Sequence, residues 1–116
     1  MAWAFLDDDV PHGFAHRGGD EVATENTIAA FQHAMDLGYR YLETDVHVTR
    51  DGVLVAFHDS DLQRVAGLVG TIEDHDWASL GSVDLGGGST IPTMDELLVT
   101  FPDARFNIDP KTDAAV

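Results

Sequence analysis

Glu43 and Asp45 stand two apart in the segment Tyr41-Leu42-Glu43-Thr44-Asp45-Val46-His47. On an extended strand, residues two apart point to the same face, so these carboxylates are neighbours and repel unless a proton or a cation is shared between them. A divalent cation resolves the repulsion. With oxygen donors and no cysteine in the chain, a hard ion, Mg²⁺ or Ca²⁺, is favoured over zinc. The competing reading of the pair taken alone is an edge strand whose acidic residues face water. His58 weighs against it, because a turn at Arg50-Asp51-Gly52 returns the chain so that His58 lies opposite Thr44 or Asp45. The adjacent Asp59 could orient its imidazole. His47 shares the face of Glu43 and Asp45 and either supports them from behind or lies further along the hairpin in solvent, whereas His12, His33 and His75 read as structural or surface residues.

Two further places carry cationic chemistry. His16-Arg17-Gly18 sets an acid or base beside a guanidinium fork able to grip a phosphate through two oxygens. Lys111, the single lysine of the chain, follows Asp109 at i+2 and would share its face at a strand end, adding a second cation for an anionic substrate.

These side chains need elements to hold them. Phe14-Ala15-His16-Arg17 reads as a short strand entering a Gly18-Gly19 loop. From Asn26 or Thr27 as N-cap, Ile28, Phe31 and Met35 recur at helical spacing, with Ala34 alongside and Gly38 past the end. Tyr39 to Thr49 alternates as a strand with one strongly polar face, and Val53 to Phe57 forms the second arm of a β-hairpin with Gly52 left-handed. Ser60 to Thr90 has weak periodicity, a short helix at Asp76 to Leu80 and a Gly86-Gly87-Gly88 run, so it reads as an insertion that caps the fold and stays outside the core. Pro92 opens a second amphipathic helix with a Thr93/Glu96 capping box, stopped by Pro102, and Ala104 to Asp109 is a third parallel strand. Strand, helix, strand, insertion, helix, strand is the order of a parallel α/β fold, in which sites collect at the carboxyl ends of strands.

Composition narrows the partners. The 116 residues carry 21 acidic and 6 basic side chains, a formal charge of −15, which argues against nucleic acid and anionic membrane surfaces. With 44% hydrophobic residues the chain can bury a real core, roughly two-thirds of its unfolded surface, and is not a disordered acidic tail. No stretch is long and apolar enough for a membrane span or a signal peptide, so a cytoplasmic location is expected. Absence of cysteine excludes disulfides and thiolate metal sites.

In order, the motifs read His16-Arg17-Gly18, Glu25-Asn26-Thr27, Glu43-Thr44-Asp45-Val46-His47, Asp51-Gly52, Val55-Ala56-Phe57-His58-Asp59, Ile91-Pro92-Thr93 and Asn107-Ile108-Asp109-Pro110-Lys111. From about Phe14 to Lys111 this resembles the N-terminal part of the glycerophosphodiester phosphodiesterase family. The resemblance implies a TIM-type (β/α)8 barrel with a small insertion after the second strand. It implies that His16 and His58 are the general acid/base pair, Arg17 and Lys111 the phosphate clamps, and Glu43, Asp45 and Asp109 the carboxylate ligands of a divalent metal. The third ligand is usually glutamate in the family, and Asp109 reaches less far. Pro110 stands where an apolar residue is more usual, and Thr24 where proline is common. Glu25 is expected to hold the first loop, through Arg17, without ligating the metal.

The implied reaction is metal-dependent cleavage of a small-molecule glycerophosphodiester to sn-glycerol 3-phosphate and an alcohol. The nucleophile is either the substrate's own glycerol hydroxyl, through a cyclic phosphate, or water. Two alternatives stand beside it: a related phosphodiesterase with a different alcohol group, and an inactive fragment or acidic metal-binding α/β module. A complete barrel needs roughly 250 residues, so residues 1–116 are expected to form a partial barrel domain of about three strands and two helices, with the insertion at about 60–90.

Overall fold

Tyr41–Val48 forms the strand around which the rest is organised, called β2. The computed structural model describes residues 24–112 and, as backbone, residues 14–16. The strand β1 (Phe14–His16) pairs parallel with the first half of β2, bringing His16 into register with Glu43. The strand β3 (Leu54–Ala56) pairs antiparallel with its second half, and β4 (Arg105–Pro110) runs parallel along its other edge, Tyr41 opposite Arg105 through Val46 opposite Pro110. Consecutive carbonyls of β2 feed opposite neighbours: Asp45 O accepts from Phe57 N at 2.9 Å and Val46 O accepts from Lys111 N at 3.0 Å.

The helix α1 (Ile28–Asp36) links β1 to β2. Thr27 is its N-cap, its hydroxyl accepting from Ala30 N at 3.2 Å, and Gly38 leaves the helix at φ +98°. The hairpin between β2 and β3 turns at Gly52, φ +89°, as its sequence requires. After β3 come α2 (Gln63–Ala66), a 3₁₀ turn (Ile72–Asp74), α3 (Trp77–Leu80) and α4 (Met94–Thr100), which leads into β4. The Thr93/Glu96 capping box is formed at the start of α4: Glu96 N donates to the Thr93 hydroxyl at 3.0 Å, and Thr93 N to the Glu96 carboxylate at 3.2 Å.

Two apolar clusters result. The first joins Phe31 and Ala34 of α1, Leu42 and Val46 of β2, Ala56, Met94 and Leu97 of α4, and Phe101 at its C-cap. Phe31 meets Phe101 and Phe106 edge-to-face. The second joins Val55 and Phe57 to Leu62, Ile72, Leu80 and Ile91. Three of these six, Leu62, Ile72 and Leu80, come from the segment expected to remain outside the core, and all three are fully buried. The expectation fails because weak periodicity reflects short elements rather than shallow ones. A four-residue helix such as α3 is too short to show a stripe, yet it can still drive one leucine home. The segment is also tied by polar contacts: Arg50 N donates to His75 O at 2.8 Å, Trp77 N to the Asp51 carboxylate at 3.0 Å, and Thr24 Oγ1 to Leu85 O at 3.0 Å.

β2 is therefore covered on both faces. Leu42 and Val46 lie against the helices and Thr44 is buried, while Tyr41, Asp45 and His47 of the alternating polar set are also buried. Among the described residues no helix is long and apolar enough to cross a membrane.

Candidate active site

The register of β2 against β4 decides the geometry of the carboxylates. Parallel pairing sets Asp45 directly opposite Asp109, with Glu43 one pleat earlier on β2. Glu43, Asp45 and Asp109 each present a carboxylate oxygen, and these oxygens all lie within 4.8 Å of one another. Asp45 is only 1% exposed, which removes the reading of a solvated acidic edge strand. Burying one carboxylate among two others is costly unless positive charge is nearby. Lys111 supplies part of it, its Nζ lying 2.7 Å from Asp109 Oδ2 and 3.4 Å from Asp45 Oδ1. The hydrogen bond from Lys111 holds the Asp109 carboxyl below the ordinary carboxylate range, and Asp109 in turn raises the Lys111 ammonium. Among the described residues, Lys111 is the cation that meets Asp45 and Asp109 of this carboxylate cluster.

The donor set suits a hard divalent cation. All three ligand atoms are carboxylate oxygens, and oxygens bound to one such ion at ~2.1–2.5 Å can be at most ~4–5 Å apart. The observed spacing meets that limit.

Asn26, an alternative helix cap and part of the Glu25-Asn26-Thr27 motif, has another task in the structure. Its backbone is left-handed, φ 57°, a conformation asparagine tolerates better than most residues. From there Nδ2 donates to Asp45 Oδ2 at 3.3 Å while Oδ1 accepts from the Thr44 hydroxyl at 3.0 Å. Both ends of the amide are used, so the loop before α1 fixes the rotamer of the most buried carboxylate. The Asn-Thr pair was a signal for this only in combination: Thr27 caps the helix, which frees Asn26 to turn inward.

His58 follows β3, and extending the β2–β3 register brings it opposite Thr44, as expected. Its imidazole is partly open, 30% exposed, and Nδ1 lies 2.8 Å from Asp59 Oδ1. Asp59 is gripped in turn by Arg64 of α2, Nε to Oδ2 at 2.8 Å and Nη2 to Oδ1 at 2.9 Å, while Arg64 Nη1 reaches Glu25 at 2.9 Å. Arg64, and then His58, hold the Asp59 carboxyl well below the usual range, so it is an anion that can only accept. In the neutral imidazole the proton therefore belongs on Nδ1, which leaves the lone pair on Nε2. Among the described residues Glu25 is tied to Arg64; its expected partner Arg17 lies outside them.

His47 turns away from the carboxylates. Its ring is buried, with Nδ1 2.9 Å from Glu73 of the 3₁₀ turn and Nε2 3.1 Å from the carbonyl of His58. Burial excludes the solvent position for His47, and its partners are Glu73 and the His58 carbonyl rather than Glu43 or Asp45, so it anchors the backbone of His58 to the insertion. Of the remaining sequence candidates, His16 is placed by its backbone alone, in register with Glu43. Arg17 lies outside the described residues. Glu73 and Arg64 could not be read from sequence, since each meets its partner across 26 or 39 residues of chain.

The model of the glycerophosphoryl diester phosphodiesterase family matches residues 16–115. The chain belongs to this family. It is 46% identical over 103 residues to a Mycobacterium tuberculosis protein named "Probable glycerophosphodiester phosphodiesterase 2", covering 88% of this chain and 39% of that protein. The glycerophosphodiester phosphodiesterase of Agrobacterium tumefaciens superposes with a TM-score of 0.83 at 30% identity, over 87% of this chain and 47% of that one. A phosphodiesterase of Oleispira antarctica, solved in complex with the product sn-glycerol-3-phosphate, superposes with a TM-score of 0.82 at 32% identity, over 88% and 45%. The chain thus spans less than half the length of each of these relatives. Its fold is the N-terminal part of a TIM-type (β/α)8 barrel, with β1, β2 and β4 as barrel strands and β3 and the insertion as an excursion after β2.

Proposed function

We propose that this chain carries the metal and acid/base half of a phosphodiesterase that hydrolyses glycerophosphodiesters to sn-glycerol 3-phosphate and an alcohol. The observation that carries the proposal is the in-register clustering of Glu43, Asp45 and Asp109 with Lys111 among them, beside a half-open His58. Product named in the complex of the Oleispira antarctica relative supports the substrate class.

Glu43, Asp45 and Asp109 would hold the divalent cation, Mg²⁺ or Ca²⁺, with Asn26 fixing the Asp45 rotamer. When bound, the cation supplies Lewis-acid stabilisation of charge developing on a phosphoryl oxygen. His58 acts at Nε2: with Nδ1–H committed to Asp59, the free lone pair takes a proton, and the resulting imidazolium is stabilised by the adjacent carboxylate. His16, in register with Glu43 on the neighbouring strand, is the second acid/base group. Lys111 and Arg17 bind the phosphate. Once a cation balances the carboxylates, the Lys111 ammonium is available to the substrate's negative charge. An acid and a base at one phosphodiester allow the nucleophile to lose a proton while the leaving alcohol gains one.

The test is release of glycerol 3-phosphate from glycerophosphocholine or glycerophosphoethanolamine by the full-length protein, with Mg²⁺ or Ca²⁺ and then with chelator. Release that depends on metal, and is lost in both His16→Ala and His58→Ala, is the expected result. Unchanged rates in both variants would refute the acid/base assignment.

A further inference from the structure

His58 stands at the end of a chain of charged contacts that starts in a different part of the molecule. Asp59 Oδ1 meets His58 Nδ1 at 2.8 Å, and the same carboxylate is held at both oxygens by the guanidinium of Arg64. The third arm of that guanidinium binds Glu25, a residue only 8% exposed, immediately before Asn26. Arg64 belongs to the four-residue helix α2 at the start of the insertion, 39 residues from Glu25 and five from Asp59.

We propose that Arg64 is a positioning residue for His58, and that through it the insertion and the loop before α1 jointly set the orientation of the acid/base imidazole. The proposal rests on the reading of His58 as an acid/base group. Its physical content lies in the shape of the guanidinium. Asp59 follows His58 directly in the chain, and a one-residue neighbour alone leaves the carboxylate free to rotate away. A planar fork on both oxygens fixes the carboxylate plane and therefore the direction from which Nδ1–H must approach. Glu25 fixes the fork in turn, and its next neighbour Asn26 fixes the Asp45 carboxylate. One short loop therefore aligns both the metal-ligating side and the proton-transfer side of the site. Arg64 itself is half exposed and packs in neither apolar cluster, so its removal tests orientation more than folding. The strong lowering of Asp59 and raising of Arg64 agree with a fully ionised pair.

The experiment compares Arg64→Gln, Arg64→Lys and His58→Ala in the full-length protein with glycerophosphocholine as substrate. ¹⁵N spectra of the imidazoles are recorded alongside, with the His58 signal assigned through His58→Gln. Arg64→Gln is expected to lower kcat about 10- to 100-fold, the usual range for a group that orients another at a site, with KM within about twofold. His58 should then lose its Nδ1–H preference. Arg64→Lys keeps the charge without the fork and should recover part of the loss in kcat. A wild-type kcat in Arg64→Gln, a change in KM alone, or an unaltered Nδ1–H preference would overturn the positioning role. If His58→Ala is inactive while Arg64→Gln is fully active, only that role falls. If His58→Ala keeps the wild-type rate, the acid/base reading falls with it.

Discussion

Leu80→Ala decides whether the segment between β3 and α4 is part of the folded core or a cover laid over it. Leu80 is fully buried, and it shares a cluster with Val55, Phe57, Leu62, Ile72 and Ile91. The substitution removes three carbons, worth ~2.4 kcal/mol at ~0.8 kcal/mol per buried methylene, and the unrelaxed cavity adds to this, so about 2–5 kcal/mol is expected. In urea, at an m of ~2 kcal/mol/M, that is a midpoint shift of at least about 1 M with the slope unchanged. Val69→Ala is the control within the same segment. Val69 is 86% exposed, and its truncation should stay within about 0.5 kcal/mol. Equal, small effects at both positions would show that the segment does not share the cooperative unfolding of the sheet. The consequence reaches the site, because Phe57 belongs to the same cluster and directly precedes His58.

Two further outcomes follow from the charges. Added Mg²⁺ or Ca²⁺ should raise the unfolding free energy of the wild type, by about 2.7 kcal/mol when the ion is a hundredfold above its Kd, and should leave that of Asp45→Asn unchanged. Equal rises in both proteins would exclude Asp45 as a ligand. Asp59 is held below the ordinary aspartate range by Arg64 first and by His58 after it. Its contribution to stability is therefore fully present above the unfolded pKa of ~3.9 and is lost as pH falls through the lower, folded value. The stability gap between wild type and Asp59→Asn, followed by denaturant unfolding from neutral pH downward, should close below about pH 4. A gap that is constant across that range would refute the ion-pair account.

Much of the site could be read before the fold was known, for a simple reason. Alternation along a strand is a local rule, so Glu43 and Asp45 fall on one side wherever β2 sits, and a two-arm hairpin around Gly52 returns His58 to a predictable register. The capping box of Thr93 and Glu96 and the stop at Gly38 are local in the same sense. The exposure of the polar face was not local. The alternation of β2 is compatible with water or with burial, and only the folded chain, in which Tyr41, Asp45 and His47 are buried, shows the second.

By itself, then, the sequence determined the types of chemical group, their order, the strand faces they occupy and, through ordered motifs, the family. Tertiary structure decided what depends on contacts between distant residues. The β2–β4 register brings Asp109 to Asp45 across 64 positions. Asn26 turns inward to hold Asp45, Arg64 clamps Asp59 against Glu25, and His47 ties Glu73 to the carbonyl of His58. No propensity or spacing encodes these pairings. Each forms because burying the two core clusters fixes the backbones that carry them, and buried or half-buried charge must then find its partner within the space that remains.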